Sequence, residues 1–149
     1  MESMIGKVLG IALRCPDKRE MHEVSEARCV AQAGIEGDPA SRPDRGMTLI
    51  SAQQWRQATA ELGVDLPWWT RRANVLIDTG PLGPFIGRTI RLGEIELEVC
   101  DETRPCDLMD KLSPGLRAAL KPEQRGGVHG RIVRGGVLRI GDEVRLIGE

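Results

Sequence analysis

The stretch VCDETRPCDLMDKL (99–112) sets Cys106 directly after Pro105 and beside Arg104, between an alternating apolar run and a helical-looking one. Pro105 pushes Arg104 toward an extended conformation. Thr103 is then expected to cap the helix that follows, with Cys106 in its first turn. Backbone N–H groups at a helix start lack partners and carry partial positive charge. Such a setting favours a thiolate over a thiol; a nearby arginine adds to it and Asp107 opposes it. A thiolate attacks sulfur electrophiles and ligates soft metals. The other reading is a packed, inert sulfur, because free cysteines are among the most buried residue types. Cys15, Cys29 and Cys100 lie in or at the ends of strand-like runs and read as packing residues.

The remaining composition narrows the chemistry. There is no CxxC, and His22 and His129 are far apart in sequence, which disfavours a structural zinc site. Four cysteines in 149 residues without an export signal do not suggest a disulfide framework. A formal net charge of −1 gives no electrostatic case for a nucleic-acid or anionic-membrane partner. Aromatic residues make up 3%, with no tyrosine, which argues against a base-stacking platform. The apolar run near the N-terminus is closely flanked by Lys7 and Arg14 and is too short to span a membrane. We read it as a strand of a cytoplasmic protein. The length suits a single domain over 1–149.

The elements that must carry Cys106 are mostly short strands. Strands are expected at 6–15, 21–30, 47–51 and 74–77. Residues 34–46, with three glycines and two prolines, read as a loop. Ser51 and Gln54 resemble a capping box opening a helix over 52–62 that Gly63 ends. Residues 86–99 alternate apolar and polar, with a hairpin turn at 92–94. A second helical region covers 108–120, restarting at Pro114. Gly135-Gly136 is expected to form a tight hairpin turn and Gly141-Asp142 another. Trp68 and Trp69 read as plugs at a barrel end. The expected fold is mainly β, a closed or nearly closed antiparallel β-barrel with a few short α-helices, since closure removes exposed sheet edges.

Several stretches occur together and in order: AGIEGDPASRPDRGMTLIS, WWTRRANVLI, IGRTIRLGEIELEV, RPCDLMD and GLRAALKPEQRGGVHGRIVRGGVLRIGDEV. This set resembles the MOSC domain family, from about Lys7 to Ile147. The resemblance implies a β-barrel with short helices. It implies that Cys106 matches the family's cysteine after proline, proposed to carry sulfur as a persulfide or to ligate molybdenum of the pterin (molybdopterin) cofactor. Sulfur would come from a separate cysteine desulfurase, a pyridoxal-phosphate enzyme; under the molybdenum reading the partner would be an electron-transfer protein. In many relatives the GD motif continues with arginine and histidine. Here Asp38 is followed by Pro39-Ala40-Ser41, although Arg42 and Arg45 lie close by.

Further candidates are weighed beside plainer readings. Arg71, Arg72 and Asn74 form an anion clamp or an exposed basic turn; the resemblance favours Arg72 and Asn74 for cofactor binding. Arg125, Gly126 and Gly127 form a close-approach loop for a ligand or a plain entry to a strand. Asp38 holds an arginine of the site or braces its own loop. Three functions are consistent with these residues. They are a sulfur-transfer protein, a molybdenum-dependent component that reduces N-hydroxylated compounds, and a non-catalytic binding module.

Overall fold

The computed structural model describes residues 2–16 and 18–147. In chain order the strands are β1 (Ser3–Cys15), β2 (Lys18–Val24), β3 (Glu26–Val30), β4 (Gly34–Ile35), β5 (Met47–Ser51), β6 (Val75–Asp78), β7 (Thr89–Leu92), β8 (Ile95–Glu102), β9 (Val128–Arg134), β10 (Gly136–Arg139) and β11 (Glu143–Leu146). The helices are α1 (Ala52–Leu62), α2 (Asp107–Leu112) and α3 (Leu116–Ala119), with 3₁₀ turns at Trp68–Arg71, Gly83–Phe85 and Pro122–Gln124. Seven strands close a ring in the order β1-β6-β5-β9-β8-β7-β11, and β11 returns to β1. β2 extends the far half of β1, and β10-β3-β4 form a small second sheet. The expected closed barrel is therefore observed.

Every pairing in the ring is antiparallel except β5 with β6. The chain between those two strands carries α1, and a crossover of that length permits parallel pairing. Ser51 Oγ accepts from Gln54 N at 3.1 Å, and Gly63 adopts φ +67° at the other end. The Gln54 side chain does not return to the cap. It donates instead to the Glu123 carbonyl at 2.7 Å, tying α1 to the loop before Gly126.

The barrel is packed solid. Val8, Leu49, Ile77, Leu92, Ile95, Leu97 and Val128 belong to one core cluster and are fully buried. Each such side chain contributes about 1.5–3 kcal/mol relative to exposure. A second cluster lies outside the wall, where Ile50 meets Trp55, Ala58, Ala73, Met109, Leu116 and Leu120. β5 is buried along its whole length because it faces both clusters. Any ligand site must consequently lie on the outer wall, not in the lumen.

Three expectations are corrected. Residues 21–30 form parts of two strands, not one, because the chain leaves β1 and joins β10 either side of Ser25. Gly135-Gly136 is no hairpin turn: β9 stays in the ring while β10 pairs with β3. A Cβ on Gly135 would lie 2.5 Å from the Cys29 carbonyl oxygen, so close strand approach explains that glycine. Trp68 does not plug a barrel end. It lies over Gly10, where a Cβ would come within 2.9 Å of the ring, and its Nε1 donates to Glu23 at 3.2 Å.

Cys29 is a core residue, and burial raises its thiol from 9.0 to about 12. The unfolded chain ionises this thiol first, so above pH 9 the native state binds more protons. Its stabilising contribution is complete below pH 9 and is lost as pH rises toward 12. Denaturant titrations across that window are expected to show stability falling more steeply for the native sequence than for Cys29→Ala.

Candidate functional site

Cys106 is exposed and stands at the N-cap of α2 with extended backbone, φ −120°. It is not inside the first turn, and Thr103 does not cap the helix. Thr103 is buried and does different work. Its N–H donates to the Gly127 carbonyl at 2.8 Å, its carbonyl accepts from Arg71 Nη2 at 2.8 Å, and its hydroxyl shares a 3.1 Å hydrogen bond with His129 Nδ1. Asp107, next to Cys106, is ion-paired with Arg117.

Arg71 is the buried brace of this loop. It is 6% exposed, donates through Nε to the Gly126 carbonyl at 2.9 Å, and lies 3.8 Å from Met109 Sδ. No carboxylate pairs with it among the described residues; it donates to two carbonyls and a thioether. Burial pushes its guanidinium down to about 10; the Cys106 charge opposes that fall, and Arg45 and Arg14 add to it. Arg71 thus ties Thr103, three residues before Cys106, to Gly126.

Across from this loop Asn74 organises a buried polar lattice. Its Nδ2 donates to the Ala12 carbonyl at 3.0 Å and to Asp38 Oδ2 at 2.7 Å, and its Oδ1 accepts from Thr48 N and Oγ1. Asp38 also accepts from Ala40 N at 2.8 Å and pairs with Arg14 at 3.4 Å. Arg14 Nη2 donates to the Arg72 carbonyl at 2.9 Å. Buried polar groups satisfied to this degree fix one geometry. Ser41 anchors the rest of the 34–46 loop, accepting from Ile35 N and donating to the Gly46 carbonyl.

The loop and β1 enclose a hollow of about 220 Å³ lined by Arg14, Ala40, Arg42 and Arg45. Burial lowers the Arg45 guanidinium, Arg14 and Arg42 lower it further, and Asp44 and Cys106 oppose them. Burial, then Arg45, also hold His129 below its ordinary value, against Asp101 and Asp44. A second cleft of about 400 Å³ adjoins the hollow, sharing Arg42 and lined by Val30, Ile35, Asp38 and Pro43 among others.

The candidate residues thus divide. Asp38 and Asn74 are bonded to the arginine hollow, Asp38 through Arg14 and Ala40 and Asn74 through Asp38, and the Cys106 loop is tied to it through Arg71 and Arg72. Arg72 is half-buried in the left-handed region, φ +65°, and supplies its carbonyl to Arg14. Arg125 is turned to α1, with both Nη atoms 2.9 Å from the Glu61 carboxylate and Nη1 also bonded to the Ala119 carbonyl. Gly126 and Gly127 serve close packing: a Cβ on Gly126 would meet the Thr103 carbonyl at 2.6 Å, and one on Gly127 the Leu49 carbonyl at 2.1 Å. Arg14 is the site residue that the sequence reading missed, while Arg71, Thr103 and His129 take roles other than the clamp, the helix cap and the plain strand position read from the sequence. The pairing of β5 with β6 and β9 brings Thr48, Asn74 and His129 onto one outer face.

A family model, "MOSC domain", matches residues 36–145. The crystal structure of the YuaD protein from Bacillus subtilis is similar with a TM-score of 0.78, 20% identity and 98% of both chains covered. YiiM from Escherichia coli gives 0.73 at 15% identity, covering 96% of this chain and 70% of that one, and YiiM from Geobacillus stearothermophilus gives 0.71 at 13%, covering 99% and 76%. At these identities the likeness is one of fold. No curated protein matches the sequence. The closed barrel and the matched span establish that the chain belongs to the MOSC domain family, which is associated with molybdenum-cofactor proteins. No helix among the described residues is long and apolar enough to cross a membrane.

Proposed function

We propose that the protein is a sulfur carrier in which Cys106 holds sulfane sulfur as a persulfide. The observation that carries this reading is an exposed cysteine whose loop is held at Thr103 by Arg71, a buried arginine that no carboxylate pairs among the described residues, while the carbonyl of the next residue, Arg72, accepts from Arg14 of the arginine hollow. In the loading step the Cys106 thiolate attacks the outer sulfur of a desulfurase persulfide. A new S–S bond forms on Cys106, the donor S–S bond breaks, and its electron pair leaves on the desulfurase thiolate. A persulfide anion on Cys106 then lies in the field of Arg45 and Arg71. The arginine hollow holds an anionic acceptor.

The residues also fit the family's molybdenum cofactor in donor type. Cys106 offers a soft sulfur, and Arg14, Arg42 and Arg45 suit a phosphate. Among the described residues no group of three metal-ligating side chains exists, so Cys106 would be the one ligand supplied here. When bound, the cofactor supplies redox chemistry at molybdenum, with electrons from a partner protein. We favour the carrier reading because it needs only the exposed cysteine and its loop, whereas no group of three metal-ligating side chains stands among the described residues to hold a metal centre.

Incubation with a cysteine desulfurase and isotope-labelled cysteine tests the proposal. The expected product carries one labelled sulfur on Cys106, removable by reductant and absent in Cys106→Ser. An unmodified Cys106 in the native sequence contradicts it.

A further inference from the structure

We infer that the arginine hollow is a site for an inorganic sulfur oxyanion, and that Cys106 exchanges sulfane sulfur with it as sulfite and thiosulfate. This deepens the carrier reading and rests on it. The hollow is lined by Arg14, Arg42, Arg45 and Ala40, which suits a compact anion with no apolar body. Its charges are partly accounted for: Asp38 pairs with Arg14, and exposed Asp44 stands 3.6 Å from Arg42. Arg45 has no ion-pair partner among the described residues, and Arg14 and Arg42 both press on it. Like charges gathered in one hollow are stabilised by a multiply charged anion, and guanidinium donors match oxyanion geometry.

The location suits the chemistry. Arg71 holds the Thr103 carbonyl of the Cys106 loop, and the carbonyl of adjacent Arg72 accepts from Arg14 of the hollow, so two consecutive residues tie the cysteine loop to the anion site. A thiolate meeting a dianion suffers like-charge repulsion, which Arg14, Arg42, Arg45 and Arg71 offset. In the forward direction sulfite sulfur attacks the outer sulfur of the Cys106 persulfide. A sulfur–sulfur bond forms in thiosulfate, the persulfide bond breaks, and its electron pair returns to Cys106 Sγ. In reverse the Cys106 thiolate attacks the sulfane sulfur of thiosulfate, and sulfite leaves with the bonding pair. Charge and electrons balance, and no outside oxidant or reductant enters.

The reverse direction gives the cleaner test. Reduced protein is incubated with thiosulfate alone, and intact mass and released sulfite are measured. The expected result is saturable addition of one sulfur to Cys106 with one sulfite released, absent in Cys106→Ser and inhibited by sulfate. Arg45→Gln is expected to reduce loading at low thiosulfate about tenfold, the loss of one charge-assisted hydrogen bond. Should that variant misfold, Arg42→Gln, whose side chain is 60% exposed, makes the same test. Native protein that loads from the desulfurase but not from thiosulfate overturns this inference and leaves the carrier reading standing. Native protein that loads from neither overturns both. Loading that neither arginine change weakens also overturns the assignment of the hollow.

Discussion

Replacement of Gly127 by alanine is expected to lower the unfolding free energy by on the order of 4 kcal/mol. Two costs combine. Gly127 adopts φ +94°, which an L side chain tolerates only with strain of about 1–3 kcal/mol. The added Cβ would also stand 2.1 Å from the Leu49 carbonyl oxygen and 2.8 Å from Ile50 Cγ2, and forced overpacking costs about 1–3 kcal/mol more. Gly87 separates the two costs. It has φ +88° but nothing within 4 Å of a Cβ, so Gly87→Ala should show the strain alone. Urea titrations of both variants measure the difference. Equal losses would mean that the contact with β5 is relieved cheaply and that Gly127 does not fix the Cys106 loop.

Arg71→Met is expected to slow reaction of Cys106 with a small alkylating agent about tenfold near neutral pH, with a smaller loss of stability of about 2 kcal/mol. The stability term is a difference. Two buried carbonyls, of Thr103 and Gly126, lose their donor, at about 1–3 kcal/mol each. Against this, methionine removes the cost of burying a guanidinium, which is large enough to push Arg71 down to about 10. The reactivity term has no such offset, because the brace and the charge vanish together. Arg71→Lys restores the charge but not the two-pronged hold, and should recover part of the rate. A Met variant that alkylates as fast as the native protein would show that Arg71 is structural only.

The barrel was legible because period-two alternation at 86–99 and glycine-bearing turns are local signals. The parallel β5–β6 pair was not, because it depends on where α1 returns the chain. Gly135-Gly136 misled for a related reason. Two consecutive glycines suit a tight turn, but here one is excluded from bearing a Cβ by a carbonyl on β3, which only the folded chain brings near. The proline-flanked setting of Cys106 singled it out correctly as exposed, whereas its exact position relative to α2 was shifted because Thr103 is recruited by His129 and Arg71. Arg14 is 24 residues from Asp38 and 58 from Arg72, so no spacing rule could join them. Asn74 and Asp38 were visible as polar residues beside glycine or strand signals, but their mutual bond is a product of register.

Cys106 is the exposed cysteine, with Cys15 and Cys100 half-buried and Cys29 in the core, and sulfur chemistry at this protein belongs to Cys106. Native-state alkylation followed by peptide mass mapping tests this directly. The predicted result is rapid, single modification at Cys106, with Cys29 untouched until the protein is unfolded. Protection of Cys106 to the same degree as Cys29 would contradict the account.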